Sequence, residues 1–341
     1  MEKADRCKYS KDFVVKIAPL IMMKNTSVQN EMLLSNAEKS GIISIIIIIF
    51  TFGSFANVAI CFVYRRVQLL QKLPSVLIIN LAVCDLLMCL NTGFMIHGLY
   101  SGSTGPSRLL CDISGYIKFV LTFSSFAFVM LIMVKRYCYV ALYDSDKCKN
   151  VKLAMAAIWL YHMILGLAPI LGWSRFTFSP GKLACTCRIR TSLSFSIVVA
   201  VTSMVGPLFV LLFCSVRIFQ KLRQTRTFFA QGSLNQSQRK RDEIRGTIIL
   251  FSVIFNYFIC AVPFIVVNLM EIFDSDFVIP IRLDIATAII TQFMPAINPV
   301  IFGFGNERFR KAFLKLICRS RSRKIRPAVK IKENTQTIGG S

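Results

Sequence analysis

The stretch Cys111–Tyr137, CDISGYIKFVLTFSSFAFVMLIMVKRY, decides the fold class. At about 1.5 Å per residue, a helix of this length crosses a hydrocarbon core of about 30 Å. A cysteine opens the segment, the basic pair Lys135-Arg136 closes it, and Lys118 is its one charged interior residue. These three marks set an outer anchor, a middle pocket and an inner switch, against which every other segment can be placed.

Working outward, further apolar runs cover 42–64, 74–99, 153–172, 194–218, 246–270 and 283–303, so that with 111–137 the chain holds seven. The pattern predicts an all-α membrane protein, a seven-transmembrane helix bundle over residues 41–304. With 55% hydrophobic residues in 341, the chain does not read as a soluble globular protein. A net charge of +24 would suggest nucleic acid in a soluble protein. Here the Lys and Arg residues cluster between and after the apolar runs, on one side of the membrane, and so report orientation rather than a nucleic-acid partner. The rule of positive loops inside places residues 1–40 outside as a tail and the carboxyl end in the cytosol. Asn25-Thr26-Ser27 gives that outer tail a glycosylation acceptor. No cleavable signal peptide is read, because KDFVVKIAPLIMMK is interrupted by Lys11, Lys16 and Lys24.

After the seventh run, Phe309, Phe313, Leu316 and Ile317 recur at helical spacing with basic residues between them. Residues 305–318 are therefore expected as an amphipathic helix on an anionic inner leaflet, with membrane lipids as partners. Cys318 at its end is a palmitoylation candidate or a free cytosolic thiol. Residues 319–341 read as a polar cytoplasmic tail. Of the twelve cysteines, only Cys7, Cys111, Cys185 and Cys187 fall on the outer side, where disulfides persist.

Polar groups in hydrocarbon are costly and need a partner or a purpose. Asn57, Asp85, Ser125 and Asn298 each sit near mid-membrane depth in a different run. If those helices face one another, the four form one cluster around a single carboxylate, which can hold a proton or a cation such as Na+ and respond to state. The alternative is that they only glue helices together.

These residues carry a family resemblance. Asn57, Asn80-Leu81-Ala82-Val83-Cys84-Asp85-Leu86, Cys111, Arg136-Tyr137, Trp159, Pro207, Pro263 and Asn298-Pro299-Val300-Ile301-Phe302 stand in the order and spacing of rhodopsin-like (class A) G-protein-coupled receptors. Gly172-Trp173-Ser174-Arg175, Cys185-Thr186-Cys187 and Asn306-Glu307-Arg308-Phe309-Arg310 look most like opsins. The resemblance implies a plasma-membrane receptor whose ligand site lies among spans three, five, six and seven, and a heterotrimeric G protein as partner. It also implies a bridge between Cys111 and Cys187.

The chain departs from the opsin pattern where retinal chemistry would occur. The position of the retinal lysine, seven residues before Pro299, holds Gln292, whose amide cannot form a Schiff base. The expected counter-ion in span three is replaced by Ser114, and the tryptophan beneath the ligand by Ala261. Lys118 admits three readings. It pairs with an outer carboxylate such as Glu271 or Asp284, recognises an anionic small molecule, or holds a relocated retinal. At the inner switch, Lys135 replaces the usual acid before Arg136, leaving Glu243 of span six as the carboxylate that restrains this arginine. Ser215 and Phe302 replace two tyrosines that help hold the family's active state.

Other functions fit less well. His97 and His162 are the only histidines, neither has a second metal ligand one helical turn away, and no nucleophile elbow or phosphate loop is present, so an enzyme is not expected. A channel or transporter would use Asp85 and Lys118 along a water path, but no internal repeat supports it. A seven-helix partner that no longer signals is a third class. The expected function is reception of an extracellular or membrane-borne signal, opsin-like but without the usual light chemistry, with non-covalent or relocated retinal binding as the alternative.

Overall fold

The structure is a computed structural model that describes residues 34–66, 73–101, 104–142, 150–187, 192–228, 234–273, 279–305 and 307–324. The glycosylation candidate Asn25 lies outside them. So do the side chains of Glu243, Glu271 and Cys318, although their backbones are helical.

Span one is α1 (Asn36–Arg66). It starts earlier than its apolar run because Ser35-Asn36-Ala37-Glu38 is a capping box. Ser35 Oγ accepts from the Glu38 amide at 3.1 Å, and Glu38 Oε2 accepts from the Ser35 amide at 2.7 Å. Span two is broken into α2 (Leu73–Asn91) and α3 (Phe94–Ser101). The break falls at Thr92-Gly93, where the Thr92 hydroxyl turns back on the Met88 carbonyl at 3.0 Å.

Span three, α4 (Arg108–Val140), has 33 residues and touches most of the bundle. Span four is the shorter α5 (Val151–Leu167). The loop that follows folds as an antiparallel hairpin of β1 (Phe176–Ser179) and β2 (Ala184–Cys187). Span five runs through α6 (Leu193–Val199), a π turn over Ala200–Val205, and α7 (Gly206–Phe228). Pro207 lacks an amide hydrogen and crowds the preceding turn, which accounts for the bulge. Span six is α8 (Leu234–Phe273), with Pro263 inside it, and span seven is α9 (Ile281–Gly305), with Pro295 and Pro299 inside it.

Six of these helices are long and apolar enough to cross a membrane, and Val151–Leu167 is a shorter apolar helix. Together they are the seven spans expected. The helix after span seven, α10 (Glu307–Lys324), runs past the expected end at 318. Phe309 is its buried anchor, stacked on Tyr64 of span one at 5.7 Å between ring centroids. The main core runs through spans one, two, three, five, six and seven around Phe128, Leu77, Leu81, Met133, Ile218 and Val253.

Candidate functional site

Three levels of the bundle carry polar chemistry. At mid-depth, Asp85 is 1% exposed and both its carboxylate oxygens are engaged. Ser125 Oγ donates to Oδ1 at 2.9 Å and Asn298 Nδ2 donates to Oδ2 at 2.9 Å. The network then extends beyond the residues read from sequence. Ser125 Oγ lies 2.7 Å from the Tyr257 hydroxyl, and Asn256 Nδ2 donates to Asn298 Oδ1 at 3.2 Å. Spans two, three, six and seven thus meet in one hydrogen-bonded set.

Asn57 is near but not part of it. Its Nδ2 donates to the carbonyls of Gly53 at 3.0 Å and Pro295 at 3.1 Å, tying span one to the proline-freed backbone of span seven. Asn256 and Tyr257 had a legible signal, since the rule that singles out Asn57 applies equally to an amide and a phenol in an apolar run. His162 is buried, with Nδ1 3.0 Å from the Ile158 carbonyl and 3.3 Å from Ser124 Oγ.

At the outer level, a cavity of about 50 Å³ is lined by Thr92, Ser114, Lys118 and Gln292 from the bundle and by Phe178 and Leu183 from the hairpin. It has room for about three or four waters. Gln292 is 4% exposed; its Oε1 lies 3.3 Å from the Thr92 hydroxyl, and its Nε2 donates to the Ala288 carbonyl at 3.3 Å and to Thr291 Oγ1 at 3.1 Å. Lys118 is half-buried, and among the described residues no carboxylate lies within ion-pair distance of it. Asp284, one of its two expected partners, instead lies against Gly181 at the hairpin tip. Among the described residues, Ala261 does not line the cavity, and the Glu271 side chain lies outside them.

The expected disulfide is corrected. Cys111 pairs with Cys185, with Cα atoms 5.3 Å apart, and Cys187 is a free thiol. Both cysteines project from the same face of β2, two residues and about 6.6 Å apart along the strand. The hairpin register, Cys185 opposite Phe178 and Cys187 opposite Phe176, brings Cys185 to the head of span three. Burial then pushes the Cys187 thiol up to about 12, so it stays protonated and sluggish at neutral pH. Cys138, at the inner end of span three, is also disulfide-bonded, to a partner outside the described residues.

At the inner level, Arg136 Nη2 donates to Thr247 Oγ1 of span six at 3.4 Å, beside Gly246. Its guanidinium sits 5.9 Å from the centre of the Tyr139 ring. Tyr137 packs edge-on against Phe213 of span five at 5.9 Å, and Phe302 is buried in the main core near Pro299. Lys135 is half-buried.

Comparison with known proteins settles the class. The family "7 transmembrane receptor (rhodopsin family)" matches residues 56–302. The chain belongs to the rhodopsin family of seven-transmembrane receptors. This receptor is 24% identical to the melatonin receptor type 1A of Mus musculus over 262 residues, covering 75% of this chain and 73% of that one. It is 24% identical to the somatostatin receptor type 1 of Rattus norvegicus over 281 residues, covering 79% and 69% respectively. The crystal structure of squid rhodopsin superposes with a TM-score of 0.71 at 19% identity, over 86% of this chain and 89% of that chain, a likeness of fold. The protein is therefore a multi-pass membrane receptor that signals through a G protein.

The receptor's site fits a retinal Schiff base poorly. A retinal Schiff base needs a primary amine where Gln292 stands, and that amide is engaged as a donor. At Asp85 each carboxylate oxygen accepts one hydrogen bond and keeps a second lone pair, as does Asn298 Oδ1, so these oxygens are of the type that a Na+ ion takes as ligands.

Proposed function

We propose that this receptor answers a small anionic ligand at Lys118 and passes the signal to a heterotrimeric G protein by moving span six away from Arg136. The observation that carries this reading is Lys118 itself. It lines the outer cavity beside Ser114 and Gln292 with no counter-charge among the described residues. A lysine held in a poorly hydrated pocket gains strongly from a carboxylate or phosphate. Around it, Ser114 and Gln292 supply hydrogen-bonding groups that fix a ligand's orientation. Ala261 and Glu271 are kept as outer contacts of a larger ligand.

A light sensor is the less supported reading, because the cavity of about 50 Å³ is small for a long polyene and Gln292 offers no attachment. Asp85, Ser125, Asn298, Asn57, Asn256 and Tyr257 serve as the mid-membrane lock between resting and active bundles. The orientation that follows from the basic inner loops is an outer amino end and a cytosolic α10, at the plasma membrane.

The test is nucleotide exchange on a purified heterotrimeric G protein with the reconstituted receptor, in the presence of acetate, lactate, succinate or inorganic phosphate. At least one of these anions is expected to shift exchange, with Lys118→Ala losing the shift and Arg136→Ala losing exchange altogether. Exchange that depends on Arg136 but ignores all four anions would remove the ligand assignment and leave the receptor.

A further inference from the structure

We infer that the acid received at Lys118 is a short hydroxycarboxylate, such as glycolate or lactate, whose hydroxyl is bound by Asn91. The inference rests on the receptor reading above and adds the chemical class of the ligand.

Lys118 is not the only polar group in the outer cavity that lacks a strong partner. Asn91 and Thr92 also line it, at the break where α2 ends. The side-chain oxygen of Asn91 is buried, and no donor among the described residues reaches it. A buried carbonyl oxygen without a partner carries a desolvation cost, which a donor brought by a ligand removes. Gln292, 4% exposed, presents a second under-supplied oxygen. Its Nε2 is committed to Ala288 and Thr291, which fixes the amide with Oε1 toward Thr92. The single Thr92 hydroxyl proton has the Met88 carbonyl at 3.0 Å as well as Gln292 Oε1 at 3.3 Å, so Oε1 has at best a shared donor.

The cavity therefore asks a ligand for a negative charge, to meet Lys118, and for a donor, to meet Asn91. A simple carboxylate supplies only the first, because an ionised acid has acceptors and no donor. An amino acid supplies both, but its ammonium would share a small cavity with Lys118, and among the described residues no Asp or Glu lines that cavity. Phosphate carries a hydroxyl too, yet at neutral pH it also carries a second charge that a single ammonium leaves unpaired. An alcohol hydroxyl brings the donor without further charge, and its own oxygen can accept from Lys118. Size narrows the class further. Space for about three or four waters admits an acid of about two or three carbons and excludes a fatty or aromatic one.

Water is the competing occupant. A water that joined Lys118 to Asn91 would satisfy both groups, and any small anion would then bind whether or not it carried a hydroxyl. The two cases differ in one measurable quantity, the affinity for an acid with a hydroxyl relative to the same acid without it.

The experiment reads binding and needs no G protein. Radiolabelled lactate and propionate, acids of one chain length with and without a hydroxyl, are dialysed to equilibrium against the purified full-length receptor in nanodiscs, with unlabelled alanine and inorganic phosphate as competitors. Lactate is expected to bind about tenfold tighter than propionate, the effect of satisfying one buried acceptor. Asn91→Leu should erase that preference by weakening lactate while propionate stays bound, so that propionate reports an intact site. Asn91→Ala, with the same expectation, guards against a leucine that does not fit; loss of both acids in both variants would make Asn91 a structural residue and overturn its assignment. Equal affinities in the wild type, a lactate preference that survives loss of the Asn91 amide, or displacement by alanine or phosphate at lower concentration than by lactate itself would each overturn the proposal. Equal affinities would leave the anion reading of Lys118 standing, whereas a wild type that binds none of these compounds would sink that reading itself.

Discussion

Spans seven and five show how unevenly this bundle is held. In span seven, 61% of the most apolar window is buried inside the protein, against 22% in span five. Span seven packs on spans one, two and six, receives Asn57 on its Pro295 carbonyl, and supplies Gln292 and Asn298 to the polar levels. Span five leans mainly on span three, and between it and span six lies a groove of about 800 Å³, lined by Leu212, Phe219, Thr247, Phe251, Phe255 and Phe258. A buried network with every donor spoken for has one good arrangement, whereas loosely packed apolar side chains have many. Span six belongs to both halves. It shows Asn256 and Tyr257 to the anchored side and Phe251 and Phe255 to the open one, so a movement toward the groove breaks few contacts there and several on the other face.

The anchored half should lose most at its covalent tie. Cys185→Ala opens a bridge between residues 74 apart in sequence and should cost about 4 kcal/mol in the chain-entropy account. Cys187→Ala should stay within about 1 kcal/mol. Thermal unfolding of the two purified variants checks this, and a reversed order would restore the Cys111–Cys187 pairing.

Next comes the carboxylate lock. Asn298→Ala strands Asp85 Oδ2 and leaves Asn256 Nδ2 with the Met294 carbonyl alone, both buried, and is expected to cost roughly 3 kcal/mol. On the open side, Ser252 Oγ bonds only to its own Ile248 carbonyl, and Ser252→Ala should fall within about 0.5 kcal/mol. Comparable losses at the two sites would erase the distinction between the halves.

How much of this was legible depends on which force decides each feature. The spans were, because a bilayer demands about twenty apolar residues whatever the packing. The Asp85 cluster was legible in part, because buried polar groups announce themselves by type; Asn256 and Tyr257 satisfied the same test. Thr92 carried no such mark, since a threonine in a membrane helix usually bonds its own preceding turn, and only the kink brings it to Gln292. The start of span one at Ser35-Asn36-Ala37-Glu38 was written in the capping pattern. The disulfide was not, because Cys185 and Cys187 share one face of a strand and only the docked register chooses between them. Nor was the burial of Gly181, Lys182 and Leu183 at the hairpin tip, because Pro180-Gly181-Lys182-Leu183 has the composition of a turn in water.

The bridge between the halves can be probed at one hydroxyl. Tyr257→Phe removes the bond from span six to Ser125 while Ser125 keeps Asp85. The expected cost is about 1 kcal/mol, equivalent to roughly a fivefold rise in basal nucleotide exchange if the resting bundle bears all of it. A drop in basal exchange would mean that the hydroxyl supports the active arrangement instead.

The smallest effect is expected at the surface contact that also spans the two halves. Glu307 of α10 accepts from Arg245 of span six at 2.5 Å and from Lys311 at 2.8 Å. Lys311 first, and then Arg245, holds this carboxyl down to about 2 from its ordinary 4.5. A group depressed in the folded state contributes its stability above its ordinary pKa and loses it as pH falls through the folded value. Glu307 therefore stays ionised, and the contact constant, from pH 5 to pH 8. The pair is exposed, so solvent and salt weaken it. Glu307→Gln should change basal exchange by under about twofold, with the ratio to wild type flat across that pH range and approaching one in about 1 M salt, where the screening length is about 3 Å. A ratio that varies between pH 5 and pH 8 would assign the titration to another group at the inner end of span six. A ratio that survives high salt would mean that α10 restrains span six through its apolar face, at Phe309 and Phe313, rather than through charge.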